Sequence, residues 1–189
     1  MGKKRLVKSL TDPLFFDNDC LSAFLWVNCE NILVKLYPGR IVIPREVYIE
    51  LSNPSVNRVK GLKAQVDTLV MSSQATVVQI IVGSPVYDLY FKLTQNPDPG
   101  NNRIGDGEAA AIALAKEQGG ILASNNLRDI SNYVQGFGLK HVTTGAIMKE
   151  ALAEGWITEA VGNAIWQKML NRKRLLGHQS FSDYLRSNS

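Results

Sequence analysis

Short runs of uninterrupted apolar residues punctuate the chain: Leu14–Phe16 (LFF), residues 41–43 (IVI) and residues 121–124 (ILAS). Runs this brief, bounded by turn residues and apolar on both faces, read as strands of a buried parallel sheet. Between them the period changes. Over residues 17–36, Leu21, Phe24, Leu25, Ile32 and Leu36 recur near the helical repeat, so one helix is expected there, ended by YPGR. Pro44 precedes REVYIELS, and proline suits a first helical turn, so a helix follows the second strand. NPSVN breaks that helix. An amphipathic helix is then expected over residues 58–72, a strand over 75–82 and a short helix over 87–94. The longest loop, QNPDPGNNRIGDG, is rich in Pro, Gly and Asn. EAAAIALAKEQ consists of strong helix formers and ends at Gly119 and Gly120. After ILAS, the polar turn NNLRD leads into a helix reaching about residue 135, and KHV is a short strand. Thr143 and Thr144 can cap the helix GAIMKEALAEG. A helix over residues 158–174 and a last one in SFSDYLRS follow. Strands alternating with helices predict an α/β fold, three layers α/β/α around a short parallel sheet. The expected organisation is a domain over residues 10–152 and a helical C-terminal extension over 153–189.

Composition adds little to this picture and contradicts none of it. The 189 residues are 45% hydrophobic and 20% charged, ordinary for a globular domain large enough to bury a core unaided. Cys20 and Cys29 lie in an apolar helical pattern without metal-type spacing, which suits reduced thiols. No apolar run is long enough to span a membrane, and MGKKRLVKSL lacks the apolar core of a secretory signal, so a cytoplasmic protein is expected. No internal repeat or low-complexity tract is present. The net charge of +4 and pI of about 9.1 hint weakly at nucleic acid. The position of the charges is more informative: acids recur at chain junctions, and Lys and Arg crowd the C-terminal region.

Ligands of open parallel sheets bind at the carboxyl ends of the strands. Asp17 and Asp19 follow the first strand, Glu50 lies two turns into the helix after the second, and Asn125, Asn126 and Asp129 follow ILAS. The Gly-rich loop delivers Asp106 and Glu108 to the start of the Ala-rich helix. Carboxylates gathered at one edge repel and raise one another's pKa. A divalent cation resolves that conflict, and Mg²⁺ or Mn²⁺ prefers oxygen ligands. Such an ion bound to a few carboxylates supports attack on a phosphodiester, most simply in nucleic acid.

The segments FFDNDCLSAF, IPREVYIELS, IGDGEAAAIALAKEQGGILASNN and LKHVTTGAIMKEAL, in this order over roughly residues 13–152, resemble the PIN-domain ribonucleases. Among these they resemble the VapC-like toxins of toxin–antitoxin pairs. The resemblance implies a PIN-like fold and a metal-dependent endoribonuclease acting on RNA. It puts the family's first acid on Asp17, the second on Glu50 and the third on Glu108, with Asp106 a close alternative. The fourth acid is usual in the turn after the following strand, where this chain has Asn126; Asp129 is the nearest carboxylate. Asp19 falls where family members often carry a small polar residue, which implies a supporting role. The resemblance also implies a homodimer and an antitoxin whose segment blocks the acidic groove.

Each residue has an ordinary explanation as well. Asp17 or Asp19 can cap a helix, Glu50 can be a solvated helix residue, and Asp106, Glu108 and Asp129 can complement helix dipoles. Ser22, Asn125 and Asn126 can orient water or phosphate, but residues of these types more often form turns and caps. His141 and His178 lack a Cys/His partner set for zinc. Trp26, Trp156 and Trp166 suit core or interface better than base stacking. Lys168, Arg172, Lys173 and Arg174 near a helix end suit the dipole, or else a phosphate backbone. Two other functions compete. FFDNDCL resembles the opening of haloacid-dehalogenase-like phosphatases, but GDGE does not follow a buried strand here. A non-catalytic PIN-like module binding RNA or protein draws its support from Asn126.

Overall fold

The computed structural model describes residues 11–53, 61–99, 101 and 103–188. Five strands among the described residues form one sheet in the order β3-β2-β1-β4-β5, every neighbouring pair parallel. They are β1 (Leu14–Phe16), β2 (Ile41–Pro44), β3 (Ala75–Val78), β4 (Ile121–Ala123) and β5 (Lys140–Val142). In register, Leu14 faces Ile41 on one side and Ile121 on the other, and Phe15 faces Val42 and Leu122. Successive strand side chains alternate between two apolar layers. Leu14, Phe16, Ile41 and Ile43 join one core with Leu21, Phe24 and Val47. Phe15 and Leu122 join a second core with Leu93, Ile130 and the alanines of the central helix. This is the expected three-layer α/β/α architecture.

The helices are α1 (Asn18–Leu25), α2 (Glu30–Leu36), α3 (Arg45–Ser52), α4 (Gly61–Met71), α5 (Pro85–Gln95), α6 (Asp106–Gln118), α7 (Leu127–Gly136), α8 (Thr144–Ala153), α9 (Glu159–Asn171) and α10 (Phe181–Ser187). Alanines at 109, 110, 111, 113 and 115 are buried, so α6 approaches β1, β2 and β4 closely. Trp166, Met169 and Phe181, from α9 and α10, are fully buried in the same core as Leu14 and Phe24. Gly162 makes that packing possible: a Cβ there would lie 2.4 Å from the Phe181 ring.

Several boundaries differ from the sequence expectation, each for a physical reason. The single helix expected over residues 17–36 is two helices, α1 and α2. Asn28 adopts a left-handed conformation (φ 54°) between them, which asparagine tolerates, and the turn redirects Ile32 and Leu33 into the core. The strand expected over 75–82 stops at Val78, opposite Pro44, where β2 ends. Beyond it Ile81 and Val82 are exposed. The helix expected over 87–94 is α5, started two residues earlier by the Ser84 cap and Pro85. α6 starts at Asp106 rather than Glu108, and β4 ends at Ala123 rather than Ser124. α9 ends at Asn171 rather than 174, because Lys173 turns left-handed (φ 59°). The expected domain start at residue 10, most of NPSVN, the helix start at 58, and residues 100 and 102 of the long loop lie outside the described residues. Among the described residues no helix is long and apolar enough to cross a membrane. Cys20 and Cys29 are free thiols.

Candidate active site

The strand order reverses direction between β1 and β4, and the crevice of such a sheet opens at the carboxyl ends of those two strands. Asp17 stands there, immediately after β1. Its N–H donates to the Ala123 carbonyl (2.9 Å), and its carboxylate accepts the Cys20 N–H (2.7 Å), capping α1. Only 2% of Asp17 is exposed. Burial pushes its carboxyl up to about 7; hydrogen bonds from Ser124 and Cys20 oppose the rise, and the charges of Asp19 and Glu50 add to it. Glu108, in the first turn of α6, is pushed up to about 8. Burial is again the main cause, followed by the charge of Asp17, with Asp129 and Asp19 adding and Asn126 opposing. Glu108 therefore lies within electrostatic reach of Asp17, Asp19 and Asp129, and Asp17 senses Asp19 and Glu50.

Glu50 is held from two sides. Its Oε1 accepts the Gly107 N–H (2.9 Å) and its Oε2 accepts Asn18 Nδ2 (2.9 Å). It thereby caps α6, whose own N-cap residue, Gly105, has no side chain to do so. Gly107 is required to be small: a Cβ there would lie 2.8 Å from both carboxylate oxygens. The Asn126 side chain donates to Asp129 (2.9 Å) and, at 3.5 Å, to Glu108. That bond, with Arg128, holds the Asp129 carboxyl below the usual range.

The remaining candidates fall elsewhere. Asp106 is exposed and accepts the Tyr90 hydroxyl (3.1 Å) on the α5 side, beside Glu46. Asn125 spans to the start of α8: its Nδ2 donates to Thr144 Oγ1 and its Oδ1 accepts the Thr144 N–H, both at 2.9 Å. Thr143 caps α8. Asp19 is half-exposed, and buried Ser22 accepts from Arg174 Nη1 at 3.2 Å. Trp166 is core, Trp26 lies under Arg172 and Trp156 under Lys35. His141 Nε2 lies 2.9 Å from the Ser124 carbonyl. Sequence reasoning missed Asn18, Gly107 and Ser124, and read Thr144 only as a cap. The signal was present for Gly107, a glycine between two acids inside a helix start, and for Asn18, between Asp17 and Asp19.

A groove of about 750 Å³ opens beside these acids, lined among others by Asp19, Asn126, Asp129, Leu127, Leu175 and Tyr184. Among the described residues no three His, Cys, Asp or Glu side chains form a ready-made metal cage. The donor set nonetheless fits a hard cation, because Mg²⁺ binds through one or two carboxylates and keeps several waters. Asp17 and Glu108, two desolvated carboxyls each raised further by neighbouring acids, are a site short of positive charge.

A doubly wound, all-parallel α/β domain with an acid pocket at its switch point is the class that fold and site define. The particular family follows from comparison. A family model described as DUF3368: PIN domain matches residues 14–189, and the chain belongs to the PIN-domain family. PIN domains are generally nucleases, usually use divalent metals and bind RNA. No curated protein and no solved structure matches the chain.

Proposed function

We propose that this chain is a Mg²⁺- or Mn²⁺-dependent endoribonuclease that hydrolyses RNA phosphodiester bonds. The observation that carries the reading is the gathering of buried Asp17 and half-buried Glu108 with Asp19 and Asp129, the last two lining a groove, with the carboxyls of Asp17 and Glu108 pushed up chiefly by burial. In this reading Asp17 and Glu108 would hold the cation, with Glu50 and Asp129 as supporting acids, and Asp106 stays with Tyr90. A bound Mg²⁺ or Mn²⁺ supplies a Lewis acid and a water of lowered pKa. The chain's own residues fix the donors: the Cys20 N–H orients Asp17, Gly107 and Asn18 orient Glu50, and Asn126 bridges Glu108 and Asp129. The test is cleavage of several RNA classes with and without Mn²⁺, using Asp17→Asn as control. Cleavage by the wild type that needs the metal and is lost in the variant supports the reading.

Asn126, standing where the family usually has an acid, favours a second reading: a PIN-like module that binds RNA or protein without cutting it. Indistinguishable traces from wild type and Asp17→Asn in the same assay select that module. On the resemblance carried by FFDNDCLSAF, IPREVYIELS, IGDGEAAAIALAKEQGGILASNN and LKHVTTGAIMKEAL, we further propose a cytoplasmic toxin of a toxin–antitoxin pair, homodimeric, with an antitoxin segment blocking the acidic groove. A small gene overlapping this one, whose product inhibits cleavage, supports that role; a gene neighbourhood without one removes it.

A further inference from the structure

The segment after α9 returns to α1 beside Asp19, which lines the groove. Lys173 turns left-handed, the chain doubles back, and Arg174 arrives at the first turn of α1. Its Nη1 donates to Ser22 Oγ at 3.2 Å and stands 3.5 Å from Asp19 Oδ1, and its Nε donates to the Arg172 carbonyl at 3.2 Å. Nη2 has no acceptor among the described residues. The side chain is only 24% exposed, so it is held in place, while Asp19 is 59% exposed. A long ion pair on an exposed carboxylate adds little stability, so fold stability does not explain why a guanidinium is parked there.

The residues that follow give the position its meaning. Leu175, Leu176, Gly177 and His178 form one wall of the groove, and Asn125, Asn126 and Asp129 another. Arg174 therefore stands at the groove's edge, next in the chain to Leu175 and in contact with Asp19, both of which line it. Arg172 precedes it, stacked 5.4 Å over the Trp26 ring farther along α1. A polyanion entering a pocket of carboxylates needs fixed positive charge at the entrance. A guanidinium offers a planar fork that fits phosphate oxygens better than one distant carboxylate oxygen. Leu127, Leu175 and Tyr184 supply apolar edges against which unpaired bases can lie.

We propose that Arg174 is a phosphate-binding residue for single-stranded RNA, exchanging its long contact with Asp19 for a backbone phosphate as the strand settles into the groove. The inference rests on the nuclease reading and deepens it by naming how the strand is held beside the acid pair. Its test is the binding of a short fluorescein-labelled oligouridylate to full-length Asp17→Asn protein, followed by anisotropy across a salt series. Adding Arg174→Gln weakens binding about three- to tenfold and flattens the plot of log K against log salt by about 0.7, the value for one phosphate contact on a single strand. Arg174→Lys keeps the slope. Glutamine retains a donor for Ser22, so an unchanged melting temperature separates a lost contact from a lost fold. Equal affinity and slope in the Gln variant overturn the proposal, as does a parent protein that binds no oligouridylate. Tighter binding of an oligoglutamate peptide than of the RNA overturns it in favour of a protein partner. Cleavage by the wild type is read separately, so the nuclease reading stands or falls on its own result.

Discussion

Asp17 is a carboxyl buried where its charged form is unfavourable, and that fixes how the protein responds to pH. The unfolded chain releases this proton near the ordinary value of 3.8, and the folded chain near 7. Between those values the native state binds a proton the unfolded state lacks, so stability falls as pH rises through the window. Glu108, raised to about 8, extends the fall. In a chelator, the melting temperature is expected to drop from about pH 5 to about pH 8, and Asp17→Asn removes much of the drop. Mn²⁺, on the proposed reading, raises the wild-type melting temperature more at the higher pH and leaves Asp17→Asn unmoved. Calorimetry at several pH values checks both. Asn126 offers a second handle. Its amide donates to Asp129 and Glu108, and Asn126→Asp replaces that donor with a further carboxylate beside them. The metal-free variant is expected to lose about 1 kcal/mol of stability and to bind Mn²⁺ more tightly, read by denaturation and titration calorimetry.

At the scale of elements, the contact between α3 and α6 decides how Glu50 is held. The carboxylate sits on the Gly107 N–H at the start of α6, and only a glycine leaves room for it. Gly107→Ala improves helix propensity by up to about 1 kcal/mol, yet its methyl group collides with both carboxylate oxygens. Stability and activity should therefore separate: the melting temperature is held or raised, while metal-dependent cleavage falls about tenfold or more, as loss of an oriented group does. A parallel loss of both would mean that Glu50 serves α6 only as a cap. The same helix start also sorts Asp106 from Glu108. Two residues apart they point about 160° away from each other, so α6 can present one of them to the pocket. Glu108 faces Asp17, and Asp106 faces Tyr90.

Across the whole molecule, the C-terminal helices share the central core. Trp166 and Phe181 pack as tilted rings with centroids 5.7 Å apart and are fully buried. Phe181→Ala is expected to cost about 3–5 kcal/mol and to lower a single cooperative melt of the entire chain. If residues 153–189 behave instead as the separate extension that the sequence suggests, the main transition stays put and a minor one is lost. Differential scanning calorimetry distinguishes the two. The same packing anchors the turn that returns Arg174 to α1, so a cation distant in sequence is brought to the acid pocket.

Much of this protein was legible before any coordinates. LFF, IVI and ILAS mark strands because unbroken apolar runs suit a sheet covered on both faces, and EAAAIALAKEQ marks the central helix because its residues lose little on becoming helical. Periodicity and propensity are local, so they carry the element order and the alternation that makes an α/β sheet. The break at Asn28 and the end of β3 at Val78 escaped, because the first depends on where Ile32 and Leu33 find a core and the second on where the partner strand stops. Asp17, Glu50, Glu108 and Asp129 could be singled out from their places after strands. That Glu50 leans on Gly107, that Asn126 bridges two acids, that Asp106 turns away and that Arg174 comes back across 152 residues to Ser22 are matters of helix phase and long-range packing. These belong to the tertiary structure alone, because no stretch of chain holds both partners of such a contact.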